Sequence, residues 1–565
     1  MNHQFLRILS VFSLLAFLSS PHLTACTNFI CSRGASADGS TMITYAADSH
    51  TRYGQLRFHK GGKHSPSEIV KLYNYGNLKF QLELPQAPET YNVVGFINQY
   101  QLAIGETTWG GISPFDKGNN SGIDYGNLIY ITLQRAKNCR EAIKLMAELV
   151  DSYGYADGGE SFSLCDPNEA WIFEITSKGD EKGALWVARR IPDGYVSAHA
   201  NQARITTFPQ MSKKSHKSID SRNLKLIFDP EVECVYYADI FTFARNQGLF
   251  NGKNEEFSFA DTFNPLSFSG LRACEARVYS LFNRVNNQMK QYEAFAMGDK
   301  NAPRLPLWIK PDSKLSLHDV MELMRDHFEG TPMDMNNDVG AGPFHCPYRW
   351  RPMDFDVDGQ KYVHERAIST QQTGFSFVAQ CRSWLPDKLG GIIWFGVDDT
   401  YSTVYCPMFC GINQVPLCFE EGNGSMSQYS ETSAFWLFNR VSNFCYLRYD
   451  SMIVDVRRTQ AFLEQDFINT VEKVTELYQN YDDSRLTAAL NKTSNQCAEQ
   501  MMKQWTELDH LLLMKYMDGN IKTIENNKIK TTATGVVTGI KQPPYPLWFY
   551  KLIVNDHGSI LKANN

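Results

Sequence analysis

The strand pattern of this chain begins, without any spacer, at Cys26. "TNFICSRG" mixes β-branched and aromatic residues, "ASADGS" supplies turn chemistry, and "TMITYAADS" resumes the strand pattern, so a β-hairpin is predicted to start at that cysteine. Upstream, residues 1–25 have a weakly basic start at Arg7, an apolar stretch from Leu6 to Leu18 and small residues near the end, which is the pattern of an export signal. That stretch is shorter than the roughly 20 residues of a membrane span, and no later segment offers such a length without charges. The mature chain is therefore expected to be exported, periplasmic or secreted, with no transmembrane span, and lipid-anchored only if Cys26 is lipidated.

Further strand patterns are "YNVVGFI", "LAIGETTW", "AWIFEITS", "ALWVARRI" and "YVSAHA". "NLIYITLQRAKNCREAIKLMAELVDSYG" has helical spacing through Ile129, Leu133, Ala136, Ala142 and Met146. Strands and helices alternate irregularly, which argues for packed sheets flanked by helices and against a doubly wound parallel sheet. Between Gly330 and Pro416, Pro, Gly and aromatic residues predict short strands with tight turns. No proline follows until Pro543, and two amphipathic periods (Phe467, Val471, Val474, Tyr478; then Cys497, Met501, Trp505, Leu508, Leu512) predict two long helices. From Thr532 the tail reads as strand. The expected organisation is an export signal (1–25), a catalytic region (26–450) and a helical C-terminal region with a short strand-like tail (451–565). At 565 residues the chain exceeds the size at which a single core usually stops growing, so at least two lobes are expected.

The formal charge of −6 comes from interspersed acids and bases without a long basic stripe, which argues against nucleic acid as a partner. The 13 cysteines are an odd number scattered along a long chain, unlike a small disulfide scaffold. Cys406-x-x-x-Cys410 with Cys418 has no histidine at ligand spacing. Asp334-x-Asn336-x-Asp338 begins like a calcium loop but carries Val339 where Gly is needed and His345 where the bidentate Glu belongs. No metal is expected at either.

Cutting between Ala25 and Cys26 would leave one residue with a thiol and a free α-amine. The thiol is only slightly ionised at neutral pH, and a neutral amine of ordinary pKa can take its proton and return it to a leaving group. Donors for the oxyanion are then the remaining need. Leu23-Thr24-Ala25-Cys26 also fits a bacterial lipoprotein signal, in which lipidation would consume both groups. Lipoproteins commonly continue into a flexible polar tether, whereas here the strand pattern starts at once, which favours an enzyme.

Cys26-Thr27, "SRGASADGST" (Ser32 to Thr41) and a short strand ending in Asp48-Ser49 resemble the N-terminal-nucleophile cysteine dipeptidases, the dipeptidase A or PepD-like family. Later blocks look similar in the same order: "NVVGFINQYQLAIGETTWGG", "PNEAWIFEI", "GYVSAHANQARI", "CEARVYSLFNRV", "EGTPMDMNNDVGAGPFHCPYRWRP" and "TGFSFVAQCRSWLP". The resemblance covers most of the mature chain. It implies an α+β N-terminal-nucleophile (Ntn) hydrolase fold, an αββα four-layer sandwich, here with additional C-terminal helices. It also implies hydrolysis of dipeptides through an acyl-enzyme on Cys26, a short peptide as substrate, and no metal or organic cofactor. A same-fold acylase acting on a bile-salt or penicillin type of amide, and a peptide-binding lipoprotein, are the alternatives.

Carried over by position, Asp48 holds the cysteine's amine and Asn201 donates to the oxyanion. Where many relatives read Arg-Asn-Glu-Asp, this chain has Tyr45-Ala46-Ala47-Asp48, so positive charge is expected from Arg277, or alternatively Arg272. Thr107 stands about where acylase relatives have an oxyanion asparagine. His199 beside Asn201 invites a Cys-His mechanism, but the amine already provides a base and an isolated strand histidine is usually a packed one.

Overall fold

The computed structural model describes residues 25–118 and 122–563. The expected export signal, apart from Ala25, lies outside the described residues. Ten strands carry the site: β1 (Ala25–Cys31), β2 (Thr41–Asp48), β3 (Ala103–Trp109), β4 (Gly159–Cys165), β5 (Ala170–Lys178), β6 (Glu181–Arg190), β7 (Val196–His199), β8 (Thr373–Cys381), β9 (Ile392–Val397) and β10 (Cys406–Phe409). The hairpin at Cys26 forms as predicted. Its "ASADGS" turn is held by the Asp38 carboxylate, which accepts from Ser36 Oγ and from the backbone N–H and hydroxyl of Ser40, while Gly39 takes a positive φ of 82°. The segments read as strands around Ala103, Ala170, Ala184 and Val196 form β3, β5, β6 and β7. β4 was not legible as a strand, because its sequence GESFSLC alternates polar residues that are nevertheless buried on both faces.

Two sheets result. One has seven strands, with β7, β1, β2, β8, β9 and β10 as successive neighbours, so β1 sits inside the sheet with antiparallel partners on both sides. The other has nine strands and includes the antiparallel run β3, β4, β5, β6. β1 and β2 pack on β3, and β2 also on β4, so the sheets lie face to face and their strands are buried along nearly their whole length. The close approach is set at Gly105. A Cβ there would sit 2.8 Å from the Asn28 side-chain amide and 3.3 Å from Tyr45 Cβ. Gly105→Ala is therefore expected to push the sheets apart next to the first hairpin and to destabilise the fold by about 1–3 kcal/mol, read as a lowered denaturant midpoint.

The helical stretch expected after residue 124 is two helices, α1 (Tyr125–Arg135) and α2 (Cys139–Tyr153). Asp124 caps the first by accepting from Asn127 N. Asn138 breaks the run and caps the second by accepting from Glu141 N. Both pack on the nine-stranded sheet. On the seven-stranded sheet lie α4 (Ala434–Cys445), α5 (Tyr449–Tyr478) and α6 (Asp483–Tyr516), the last two being the predicted long helices. Trp505 of α6 stacks on Phe438 of α4 with ring centroids 4.4 Å apart. Between them in chain order, α3 (Ala276–Val285) packs on β7.

Two expectations are corrected. The buried side chains form one continuous cluster from Cys26 to Tyr516, not two lobes, because stacked sheets with helices against them share their interior faces. In the tail, Ile540–Lys541 pairs with Ile521–Lys522, but Leu547–Leu561 is a helix following Pro546. A short apolar run does not distinguish strand from helix by periodicity. Among the described residues no helix is long and apolar enough to cross a membrane.

Candidate active site

Cys26 lies at the start of β1, opposite Ala47 of β2, while Ala25 is opposite Asp48. It is 4% exposed. Its backbone N–H donates to Asn201 Oδ1 at 2.8 Å. Its sulfur stands 3.8 Å from Glu106 Oε1 and 3.9 Å from Tyr45 OH. Burial, then the charges of Glu106 and Asp48, push the thiol well above its ordinary pKa, so the resting group is a neutral thiol.

Asn201 follows β7 in the left-handed region, at φ 60°. Asparagine tolerates this conformation better than most residues with a Cβ. Its Nδ2 donates to the Thr108 carbonyl, which aims Oδ1 at Cys26 N and leaves the second Nδ2 hydrogen for another acceptor. Arg277 stands at the start of α3, directly after a π-helical turn (Gly270–Glu275), and is 1% exposed. Its Nη1 donates to the Cys26 carbonyl at 2.7 Å and to Thr27 Oγ1 at 2.8 Å, and its Nη2 to the Ala200 carbonyl at 3.1 Å and Asn201 Oδ1 at 3.0 Å. Burial, with Arg366 nearby, lowers its pKa to about 10, which leaves it charged at neutral pH. Arg272 instead pairs with Glu365 and donates to the Met297 carbonyl. Of the two arginines considered, Arg277 is the one at Cys26.

Asp48 ends β2 and is fully buried. Arg366 Nη2 donates to its Oδ2 at 2.7 Å and Thr373 Oγ1 to its Oδ1 at 2.6 Å. Burial raises its pKa, and the Arg366 charge opposes that. In the chain joined through Ala25, the partner of Cys26 N is Asn201, not Asp48. Tyr45, where the resemblance leads one to expect an arginine, brings a phenol to the site. Its ring meets Phe96, Phe375 and Phe377 edge-on, and its OH donates to Glu106 Oε1.

Glu106 is the site residue that sequence reasoning missed. Its signal was there: a carboxylate in the middle of an otherwise apolar and hydroxyl-bearing strand, "AIGETTW", is rarely buried without a reason. Arg366 left no such signal in "HERAIST". Thr107 and His199 belong to the packing. Thr107 Oγ1 bonds His199 Nδ1 at 2.7 Å and Ser163 Oγ bonds Nε2 at 2.6 Å, and burial together with Arg204 lowers the imidazole to about 3, so it is neutral and both its nitrogens are occupied. Asp338 caps a turn at Ala341 and pairs with Arg349.

Around Cys26 the structure thus gathers a guanidinium on its carbonyl, an amide on its nitrogen and a buried acid beside its sulfur. In comparison with protein families, residues 25–94 and 82–461 match peptidase family C69, and the chain belongs to that family. Among curated proteins it is similar to the "Probable dipeptidase" of Latilactobacillus sakei, 23% identical over 526 residues that cover 88% of this chain and 99% of the relative. It is also similar to "Probable dipeptidase B" of Lactococcus lactis subsp. lactis (24% identical, 86% and 94% covered) and to the "Probable dipeptidase" of Salmonella dublin (23%, 69% and 81%).

Proposed function

We propose that this chain is an exported dipeptidase of the Ntn-hydrolase class, built as an αββα four-layer sandwich, in which cleavage after Ala25 makes Cys26 the N-terminal nucleophile. The observation that carries this reading is the placement of Cys26 at the second position of an interior strand, directly after Ala25, with sulfur, nitrogen and carbonyl each met by a different side chain. A cysteine tethered by lipid would need slack that an interior strand does not provide. The printed names of the relatives support a dipeptide substrate.

Removing Ala25 vacates the strand position opposite Asp48. The new amine then faces that carboxylate, which orients it and stabilises its protonated form. In the reaction the amine takes the thiol proton as sulfur attacks the peptide carbonyl. The negative oxygen that develops accepts from the second N–H of Asn201 Nδ2. The amine returns its proton to the departing amino acid as the C–N bond breaks, and water then splits the thioester. Arg277 holds the Cys26 carbonyl and Asn201 in register throughout.

Mass spectrometry of the exported protein, combined with assays on dipeptides, conjugated bile salts and acylated amino acids, tests the reading. The expected result is an unmodified Cys26 at the N-terminus and hydrolysis of dipeptides, with the uncleaved precursor silent. An acylated Cys26, or an N-terminus upstream of it in the active protein, would sink the proposal. Turnover of the non-peptide amides in place of dipeptides would establish the acylase alternative.

A further inference from the structure

Several buried carboxylates of this protein are matched by arginine or by backbone donors. Asp48 pairs with Arg366, Glu275 with Arg204 and Glu464 with Arg325, while Glu174 accepts from the backbone N–H groups of Arg204 and Ile205. Glu106 and Glu160 are different. They lie on the neighbouring strands β3 and β4, at 1% and 0% exposure. Each has a hydroxyl on one oxygen, Tyr45 OH on Glu106 and Thr108 Oγ1 on Glu160 at 2.7 Å. The Oε2 of each is buried with no hydrogen-bond partner among the described residues. Arg52, whose charge acts on Glu106, donates to Tyr125 OH. Two buried, unpaired carboxylate oxygens are costly unless a cation or donor arrives to meet them. Glu106 stands with its Oε1 3.8 Å from the Cys26 sulfur.

On the reading that Cys26 forms an acyl-enzyme with a dipeptide, the carbonyl carbon bonds to sulfur and the α-nitrogen of the same residue lies only about 2.5 Å from that carbon, given standard N–Cα and Cα–C lengths. The Glu106 carboxylate, with Oε1 3.8 Å from the sulfur and Oε2 unpartnered, is the acid that such a nitrogen would meet beside Cys26. Phe96 and Phe375, which hold the Tyr45 ring, and Arg52 line a cavity of about 200 Å³.

The geometry points to Glu106, held by Tyr45 and backed by Glu160, as the anchor for the substrate's free α-ammonium. It is thus a specificity residue that restricts hydrolysis to peptides whose attacked residue is amino-terminal. An ammonium ion supplies the positive charge and the donors that the two acids lack. N-acylated or desamino compounds of the same size would leave the acids unmet and be rejected, as happens at sites built around a polar group that the analogue lacks.

The test uses the processed enzyme and its Glu106→Gln variant on two substrates, alanyl-alanine and propionyl-alanine, which differ only by the α-amine. Alkylation of Cys26 by iodoacetamide is followed by mass as a readout of the thiol itself. The wild-type enzyme is expected to prefer alanyl-alanine by about 100-fold or more in kcat/KM. E106Q is expected to lose most of that preference, mainly through KM on alanyl-alanine, while alkylation is no slower than in wild type, because removing the Glu106 charge eases ionisation of the thiol. Equal wild-type turnover of both substrates would overturn the inference. So would an E106Q enzyme that keeps the preference, or one that loses both substrates and alkylates slowly, since the last outcome makes Glu106 the thiol's proton acceptor. If E106Q does not fold, Glu106→Asp and the wild-type comparison still decide. An enzyme that cleaves propionyl-alanine and alanyl-alanine equally through Cys26 removes this inference alone, whereas one that cleaves no dipeptide removes the dipeptidase reading beneath it.

Discussion

Cys26→Ala is expected to cut dipeptide hydrolysis by on the order of 10⁴-fold or more, while the protein stays folded. On the proposed reading the sulfur bonds to the substrate, and no other group described at the site is free to replace it. Tyr45 OH is held by Glu106, His199 has both nitrogens bonded, and the next cysteine, Cys31, sits at the far end of β1 as a thiol whose pKa burial raises strongly. The stability change should be small, because removing one buried sulfur leaves a void smaller than a methylene-rich side chain would. A variant that retained activity would place the nucleophile elsewhere. Cys26→Ser tests the base separately: the α-amine remains, but an alcohol is harder to deprotonate than a thiol, so activity should fall nearly as far. The raised thiol pKa makes this expectation firm. A site that depended on a preformed thiolate would surround the sulfur with cations, whereas here Glu106 and Asp48 oppose ionisation, so the proton must leave during attack.

The second large effect is expected at Arg277. Arg277→Ala leaves the Cys26, Ala200 and Ala273 carbonyls, Thr27 Oγ1 and one bond of Asn201 Oδ1 without their donor in a dry interior. The expected loss is about 3–5 kcal/mol, since unsatisfied buried acceptors cost about 1–3 kcal/mol each and part of the loss relaxes away. Denaturant midpoints measure it. Arg277→Lys keeps the charge, but a single ammonium cannot reach from β1 to the residues after β7, so stability should recover in part and kcat/KM should not. A double-mutant cycle with Asn201→Ala is expected to be non-additive by about 0.5–3 kcal/mol because the two side chains share a bond. Wild-type kcat/KM in Arg277→Ala would show that this clamp has no part in positioning the nucleophile.

Much of the site was legible because its signals are local. The hairpin at Cys26 follows from alternating residues on either side of one turn, and Asp48 stands at a strand end that the same pattern marks. The two late helices declare themselves by their period. The roles within the site were less legible. Asn201 was expected at the oxyanion, yet its oxygen also holds the Cys26 nitrogen, and Asp48 was expected on that nitrogen, yet in the chain joined through Ala25 it is held by Arg366 and Thr373. β4 escaped detection because its glutamate and serines are buried together with its apolar residues, so its polar positions do not mark a solvent face.

Sequence alone determined that a hairpin starts at Cys26, and it made that cysteine the proposed nucleophile, since both readings depend on residues that are neighbours in the chain. Tertiary structure decided what surrounds it. Glu106, Arg277 and Arg366 reach the first hairpin across 80, 251 and 318 residues. Such contacts are selected by how two sheets and a helix end pack around one buried thiol, and short-range patterns carry no record of that packing.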